Sequence, residues 1–483
     1  MRRADLMGGS ATAAVATAPT ATPTLPESSE RPIRRLMAHL DDLDHPAGLD
    51  GFAPPTTPDP ALVDLPRTPH KVAELGIPEG LIEDLVMRRV LAVKRSSTSD
   101  MARDLSISMS VVQSIADDLR DKGYLEYLGL EGRDYRFCLT EAGHAATLER
   151  TKISLYASHV PVSLDEYHRI VEAQRAPLEL DQMAVRELFS DLVLPDRLID
   201  KIGFALLNDG AMFLYGPPGT GKTSIAERMG GVFSSHILVP HAIEADGQIV
   251  MVFDPVVHKV VSPQPEGLDP RWVLCERPLV IVGGELGMGM LDLSHEQVAG
   301  IYSPSIQLLA NNGILVIDDF GRQTITPEEI LNRWIVPLSR DVDYLRLNNG
   351  AKITVPFAVK LVVSSNFDPN RLGDDAFLRR LRNKVFVGPC NAEAFDAILD
   401  RAADEMGITI AEGAADHLRA VATRWVGELR PYIAVDFCDL LRGISNYRKV
   451  SPVMDEEMIN EVSDVYFVDA EAANSNWSQR IPT

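Results

Sequence analysis

The spacing of apolar residues divides this chain into stretches of different period. Residues 1–75 hold few apolar positions and many Ala, Thr, Pro and Asp, as in Ala16-Thr17-Ala18-Pro19, a composition that predicts a disordered tail. From Leu81 to Val93 and from Val111 to Lys122 the apolar residues recur at three- and four-residue spacing, which predicts helices, with a shorter one over Ser99–Leu105 between them. Gly123–Leu128 and Tyr135–Thr140 then read as strands around the turn Glu131-Gly132-Arg133. That order predicts a winged helix-turn-helix over 76–150. A partly helical connector follows at 151–180. Over 181–389 short apolar runs alternate with helical patterns, predicting an α/β unit with a parallel sheet and covering helices. Residues 390–450 are helical in period throughout, and 451–483 read as an acidic helix with a frayed end, a C-terminal tail.

Composition narrows the partners. The chain has 483 residues, with 69 acidic against 47 basic and a net charge of −22, so its surface as a whole repels phosphate backbones and anionic lipid. The winged segment is acidic as well. Its second helix would expose Ser110, Gln113, Ser114 and Asp117 where such domains read DNA, but Asp117, Asp118 and Asp121 face only Arg120 and Lys122, which favours docking to protein over nucleic acid. Cys138, Cys275, Cys390 and Cys438 lie far apart without metal-ligand spacing, as expected of reduced thiols in a cytoplasmic protein. No apolar run approaches the roughly 20 residues that span a bilayer, so no membrane insertion is expected.

The chemistry begins at Gly216-Pro217-Pro218-Gly219-Thr220-Gly221-Lys222-Thr223, set between the apolar run Ala211–Tyr215 and the helix-like Ser224–Arg228. Glycines at 216, 219 and 221 let successive backbone N–H groups curl around phosphates; Lys222 reaches the β and γ oxygens and the Thr223 hydroxyl ligates Mg²⁺. This is a complete site for a nucleoside triphosphate. Downstream, the apolar strand Gly313–Ile317 ends in Asp318 and Asp319, of which the first would hold Mg²⁺ and the second would polarise the attacking water. Another strand, Val359–Ser365, ends in Asn366, whose carboxamide could orient that water. In Phe377-Leu378-Arg379-Arg380 the arginines are either a solvated helix face or a cationic finger for a neighbouring subunit's site.

In this order, the loop, the acid strand, the Asn-ended strand, the arginine cluster and the helical lid resemble an AAA+ ATPase across roughly residues 180–450. The alternating hairpin Tyr344–Val355 around Asn349-Gly350 is similar to the one that marks the branch with the MoxR and magnesium-chelatase ATPases. The phrases Ile317–Gln323, Leu331–Leu338 and Ala376–Arg380 resemble the chaperone-type ATPases associated with Flp (Tad) pilus assembly. The resemblance implies ATP and Mg²⁺ as ligands, a homo-oligomeric ring, commonly a hexamer, and Arg379 or Arg380 as the finger completing hydrolysis across its interface. It also implies adenine packing on Leu192 and Val193, and a lid arginine sensing the γ-phosphate, for which Arg430 is the nearest substitute. The chain departs from the family in having Asp318-Asp319 where Asp-Glu is usual. Gly283–Leu293, rich in Gly and Met, corresponds to a loop facing the ring channel, where adaptable Met side chains suit varied polypeptide.

These readings converge on an ATP-hydrolysing remodeller of an unidentified protein client, with a link to pilus or secretion assembly. Two rivals stand beside it: a DNA-binding, ATP-dependent transcriptional regulator, and a non-catalytic ATP-binding switch.

Overall fold

The computed structural model describes residues 65–467, apart from 133, 176–179, 209, 370–378 and 380. The expected tail lies outside the described residues as far as 64. Residues 65–75, assigned to it by composition, instead pack as a strap, with Leu75 buried. Hydrogen bonds to the carbonyls of Pro66, Pro69 and His70 hold the strap, which apolar counting cannot see. Asp269 N donates to Pro66 O at 2.9 Å, Ser108 Oγ to Pro69 O at 2.6 Å and Ser110 Oγ to His70 O at 2.9 Å.

The strap leads into α1 (Glu79–Val93), β1 (Ser96–Ser97), α2 (Thr98–Leu105), α3 (Met109–Asp121), β2 (Leu125–Glu131), β3 (Asp134–Leu139) and α4 (Glu141–Thr151). The strands form an antiparallel sheet in the order β1-β3-β2. Ser97, Ser108 and Thr140 cap α2, α3 and α4, each side chain accepting a backbone N–H that the helix start would leave unpaired. The apolar faces meet in one core around Leu85, Met101, Val112, Leu119 and Phe137. Ala242 and Ile249, from later in the chain, belong to the same core, so this module is fused to the strands that carry them.

Next come β4 (Val162–Ser163), α5 (Leu164–Ala173), α6 (Gln182–Leu188), α7 (Asp196–Leu207), β5 (Met212–Tyr215), α8 (Lys222–Arg228), β6 (His236–Pro240), β7 (Ala242–Ala245), β8 (Gln248–Met251), β9 (Trp272–Glu276), β10 (Leu279–Val282), β11 (Ser294–Glu296) and β12 (Ile301–Ser303). They are followed by α9 (Ile306–Leu309), β13 (Ile314–Ile317), α10 (Pro327–Trp334), α11 (Pro337–Arg340), β14 (Val342–Arg346), β15 (Lys352–Pro356), β16 (Lys360–Ser365) and β17 (Asn383–Phe386). The central sheet is parallel throughout, in the order β10-β13-β16-β5-β17. Alternate residues serve opposite faces. Phe213, Leu315, Ile317, Leu361 and Val363 enter one core, and Met212, Leu214, Ile314, Val316 and Val362 the other.

Plain alternation of strand and helix is not the whole pattern. A second five-stranded sheet, β11-β12-β8-β7-β4, and the antiparallel pair β6-β9 accompany the central sheet; all their strands except β4, which precedes β5, are inserted between its strands. The hairpin around Asn349-Gly350 is present as β14-β15, with Arg346 opposite Lys352 and Gly350 at φ +90°. Arg333 on α10 donates to both oxygens of the buried Asp343 on β14, at 2.6 and 3.0 Å, and so ties this hairpin to the helix after the acid strand.

A helical unit closes the described chain: α12 (Ala392–Met406), β18 (Thr409–Ile410), α13 (Ala414–Val426), α14 (Pro431–Arg448), β19 (Val453–Met454) and α15 (Glu456–Tyr466). Residues 453–466, read from sequence as a tail, join the same core through Met454, Ile459 and Val462, and β19 pairs with β18. Among the described residues no helix is long and apolar enough to cross a membrane.

Candidate functional site

The loop after β5 is shaped by what surrounds its glycines. At Gly216 (φ +155°) a Cβ would lie 2.0 Å from the Val387 carbonyl oxygen, so no other residue fits there. Gly219 and Gly221 also take positive φ, +77° and +88°. Thr220 Oγ1 donates to Pro217 O at 3.1 Å, closing the loop on itself. Pro217 is half-buried and Pro218 exposed. Lys222 is buried at 6% exposure, and its Nζ donates to Gly216 O at 3.1 Å and Pro217 O at 2.7 Å. Burial holds its ammonium below the usual lysine range; Asp318 and Asp319 pull the other way, and Arg430 adds to the lowering. Those three charges therefore bear on one lysine. Thr223 follows, exposed, and Ser224 sits half-buried in the first turn of α8.

The acids stand on a sharp turn at the end of β13. Asp319 has φ +47°, a left-handed conformation that a short Asp tolerates better than most residues, and Asp319 N donates to Asp318 Oδ1 at 2.9 Å. Phe320, fully buried, anchors the turn in the core, while Gln323 Nε2 donates to Asp318 O at 2.8 Å. Between the acid strand and the loop strand runs β16, and its end is tied to both. Gly216 N donates to Ser365 O at 3.3 Å, Phe320 N to Ser364 O at 2.7 Å, and Ser365 Oγ to Phe320 O at 2.7 Å.

These ties bring the polar groups together. Thr223 Oγ1 donates to Asp318 Oδ2 at 2.6 Å, and Asn366 Nδ2 to Asp319 Oδ1 at 2.8 Å. The Thr223 hydroxyl and Asp318 carboxylate are hard oxygen donors of the kind Mg²⁺ takes, beside backbone amides and a lysine suited to phosphate. Arg430, at the start of α14, reaches the loop, with Nη1 donating to Pro218 O at 3.3 Å and Nε held by Glu428 Oε1 at 2.8 Å. Leu192 is half-buried and packs on the core beneath the loop strand, and Val193 is half-buried beside it. Arg379 is exposed in a turn; Arg380 lies outside the described residues.

Sequence reading passed over Ser365, Gln323 and Tyr432. The first two act through bonds to backbone that follow no spacing rule. Tyr432, the second residue of α14, lies against Gly219, where a Cβ would come within 2.1 Å of its Cδ1. In the segment Gly283–Leu293, Met288 is exposed, whereas Leu286 and Leu291 are buried in the core beside the acid strand.

Residues 391–464 match a family described as a domain of unknown function (DUF8689). No curated protein matches the chain. Among solved structures, the RuvB Holliday junction branch migration motor of Thermotoga maritima is similar over 61% of this chain and 74% of its own, at 17% identity and a TM-score of 0.34. NtrX from Brucella abortus in complex with ADP is similar over 71% and 67%, at 15% identity and a TM-score of 0.36.

Proposed function

We propose that this chain is an AAA+ ATPase that binds ATP on the loop Gly216–Thr223 and hydrolyses it with Asp319 as general base. The observation that carries the reading is the pairing of Thr223 with Asp318 and of Asn366 with Asp319 beside a buried lysine, on three neighbouring strand ends of one parallel sheet. Lys222 and the loop amides would hold the β and γ phosphates, and Thr223 and Asp318 would hold Mg²⁺, which when bound neutralises phosphate charge. Asp319 takes the proton of a water whose oxygen forms the new bond to the γ-phosphorus as the bridging P–O bond breaks, leaving ADP and phosphate; Asn366 orients the base. Arg430 at the loop supports a lid that senses the nucleotide, and Arg379 or Arg380 would act across a subunit interface in a ring.

The use of this hydrolysis is remodelling of a protein client, with the N-terminal winged helix as docking module. Two features support protein over DNA there. Ser108 and Ser110, at the start of α3, are engaged by the strap carbonyls. The basic groups of that helix region are also engaged, Arg120 with Asp117 and Asp121, and Lys122 with Glu83. The test is nucleotide binding with Mg²⁺: wild type binds ATP and Lys222→Ala does not. Equal ATP binding and turnover by Lys222→Ala would remove this loop from the chemistry.

A further inference from the structure

Gly219 and Tyr432 are 213 positions apart in sequence, yet a Cβ on Gly219 would lie 2.1, 2.6 and 2.9 Å from Cδ1, Cε1 and Cγ of the tyrosine. The ring edge therefore rests on the Gly219 Cα itself. This contact lies one residue from the Arg430 bond to Pro218 O, so the start of α14 touches the loop at two successive loop residues, once by charge and once by an aromatic ring. Behind the ring the contact continues. Further along α14, the Tyr466 hydroxyl on α15 donates to Asp436 Oδ2 at 2.6 Å, and Tyr466 packs edge-on against Phe437 with centroids 5.3 Å apart. A path of direct contacts thus runs from the phosphate loop through α14 to the last described helix.

Resting on the ATP-site reading above, we infer that Tyr432 is a positioning residue for the phosphate loop: its ring holds the Pro218-Gly219 peptide in place and makes the position of the helical unit felt at the phosphates. Gly219 is exposed and at φ +77°, and glycine is the residue that loses most conformational freedom on ordering. A loop of this kind needs an outside surface to fix it before nucleotide arrives, because ordering it at the moment of binding costs affinity. Lys222 and Thr220 brace the loop from within through its own carbonyls, at Gly216 and Pro217. Arg430 and Tyr432 brace the next two residues, Pro218 and Gly219, from without. The ring, rather than the hydroxyl, makes the contact, so phenylalanine should serve the loop nearly as well.

The test compares full-length wild type, Tyr432→Ala and Tyr432→Phe in two measurements. In nucleotide-free protein, hydrogen exchange at the amides of 219–221 is expected to quicken in Tyr432→Ala and to stay near wild type in Tyr432→Phe, a result that does not depend on the nature of the ligand. With Mg²⁺ and a fluorescent ATP analogue, Tyr432→Ala is expected to bind about tenfold more weakly, the size of effect that losing a half-buried aromatic contact produces, with KM rising more than kcat falls and Tyr432→Phe restoring both. Unchanged exchange in Tyr432→Ala, or analogue binding as tight as wild type or tighter, overturns the inference. So does equal impairment by Tyr432→Phe. A wild-type chain in which exchange responds as expected but no ATP analogue binds would instead overturn the ATP reading, and the role at the phosphates with it.

Discussion

Asn366 Nδ2 donates to Asp319 Oδ1 at 2.8 Å, joining the ends of two adjacent strands. The carboxylate proposed as base is thus aimed by an amide whose own position is fixed by the Ser365 hydroxyl bond to Phe320 O. Replacing Asn366 by Ala should leave ATP affinity nearly unchanged and lower kcat by roughly 10²-fold, as misplacing a reacting group by about 1 Å does. Steady-state kinetics with a separate binding measurement checks this, and the loss should not add to that of Asp319→Asn, since the two act as a unit.

Thr223 and Asp318 share one hydrogen bond, so each fixes the other's oxygen for a divalent cation. Thr223→Ala should raise the Mg²⁺ concentration needed for half-maximal turnover by about tenfold, in the range that loss of a partner of a metal ligand costs. Thr223→Ser keeps the hydroxyl and should restore the wild-type titration.

Arg379 is exposed, as a group that works in a neighbour's site must be. Arg379→Ala should keep ATP binding and lower turnover by as much as ~10³-fold if it is the finger of the proposed ring. Mixing it with Lys222→Ala should restore part of the activity, because some mixed interfaces hold an intact loop facing an intact arginine. Mixtures shown to co-assemble without any recovery would place the finger elsewhere.

His159 and His241 stack with ring centroids 3.7 Å apart where the N-terminal module meets the inserted sheet, beside Phe253 and His258, with Ser106 Oγ 2.7 Å from His159 Nδ1. Burial depresses both imidazoles, His241 to about 4 with help from its neighbour, while Asp104 pulls His159 back up. A depressed folded value means that the unfolded chain binds more protons in this window. Folded stability is therefore full above the ordinary histidine range and falls as pH drops from there toward 4. Thermal melting at about pH 7.5 and about pH 5.5 should show a drop in Tm that His241→Phe reduces, since the ring stays and the proton site goes.

The loop, the acids and the Asn were legible because each is a run of adjacent residues at the end of an apolar strand. The second sheet was not. β7, β8, β11 and β12 are three or four residues long, too short for a period; β7–β8 and β11–β12 are local hairpins, but the pairing that joins them into one sheet, Val250 opposite Tyr302, links residues distant in sequence. The strap at 65–75 escaped for a similar reason: its ties are backbone carbonyls at Pro66, Pro69 and His70, to which composition is blind. Arg430 was read from its place before α14, whereas Tyr432, two residues on, has no spacing rule to single it out. Its significance comes from a glycine on another element.

The central claim, that Asp319 performs hydrolysis on ATP held by the loop, is tested most directly by measuring ATP binding and phosphate release on the same samples of wild type and Asp319→Asn. The account predicts equal ATP affinity and turnover lowered by at least about 10²-fold in the variant, the contribution of a positioned general base. Turnover at the wild-type rate by Asp319→Asn, or failure of the wild-type chain to bind ATP with Mg²⁺, would contradict it.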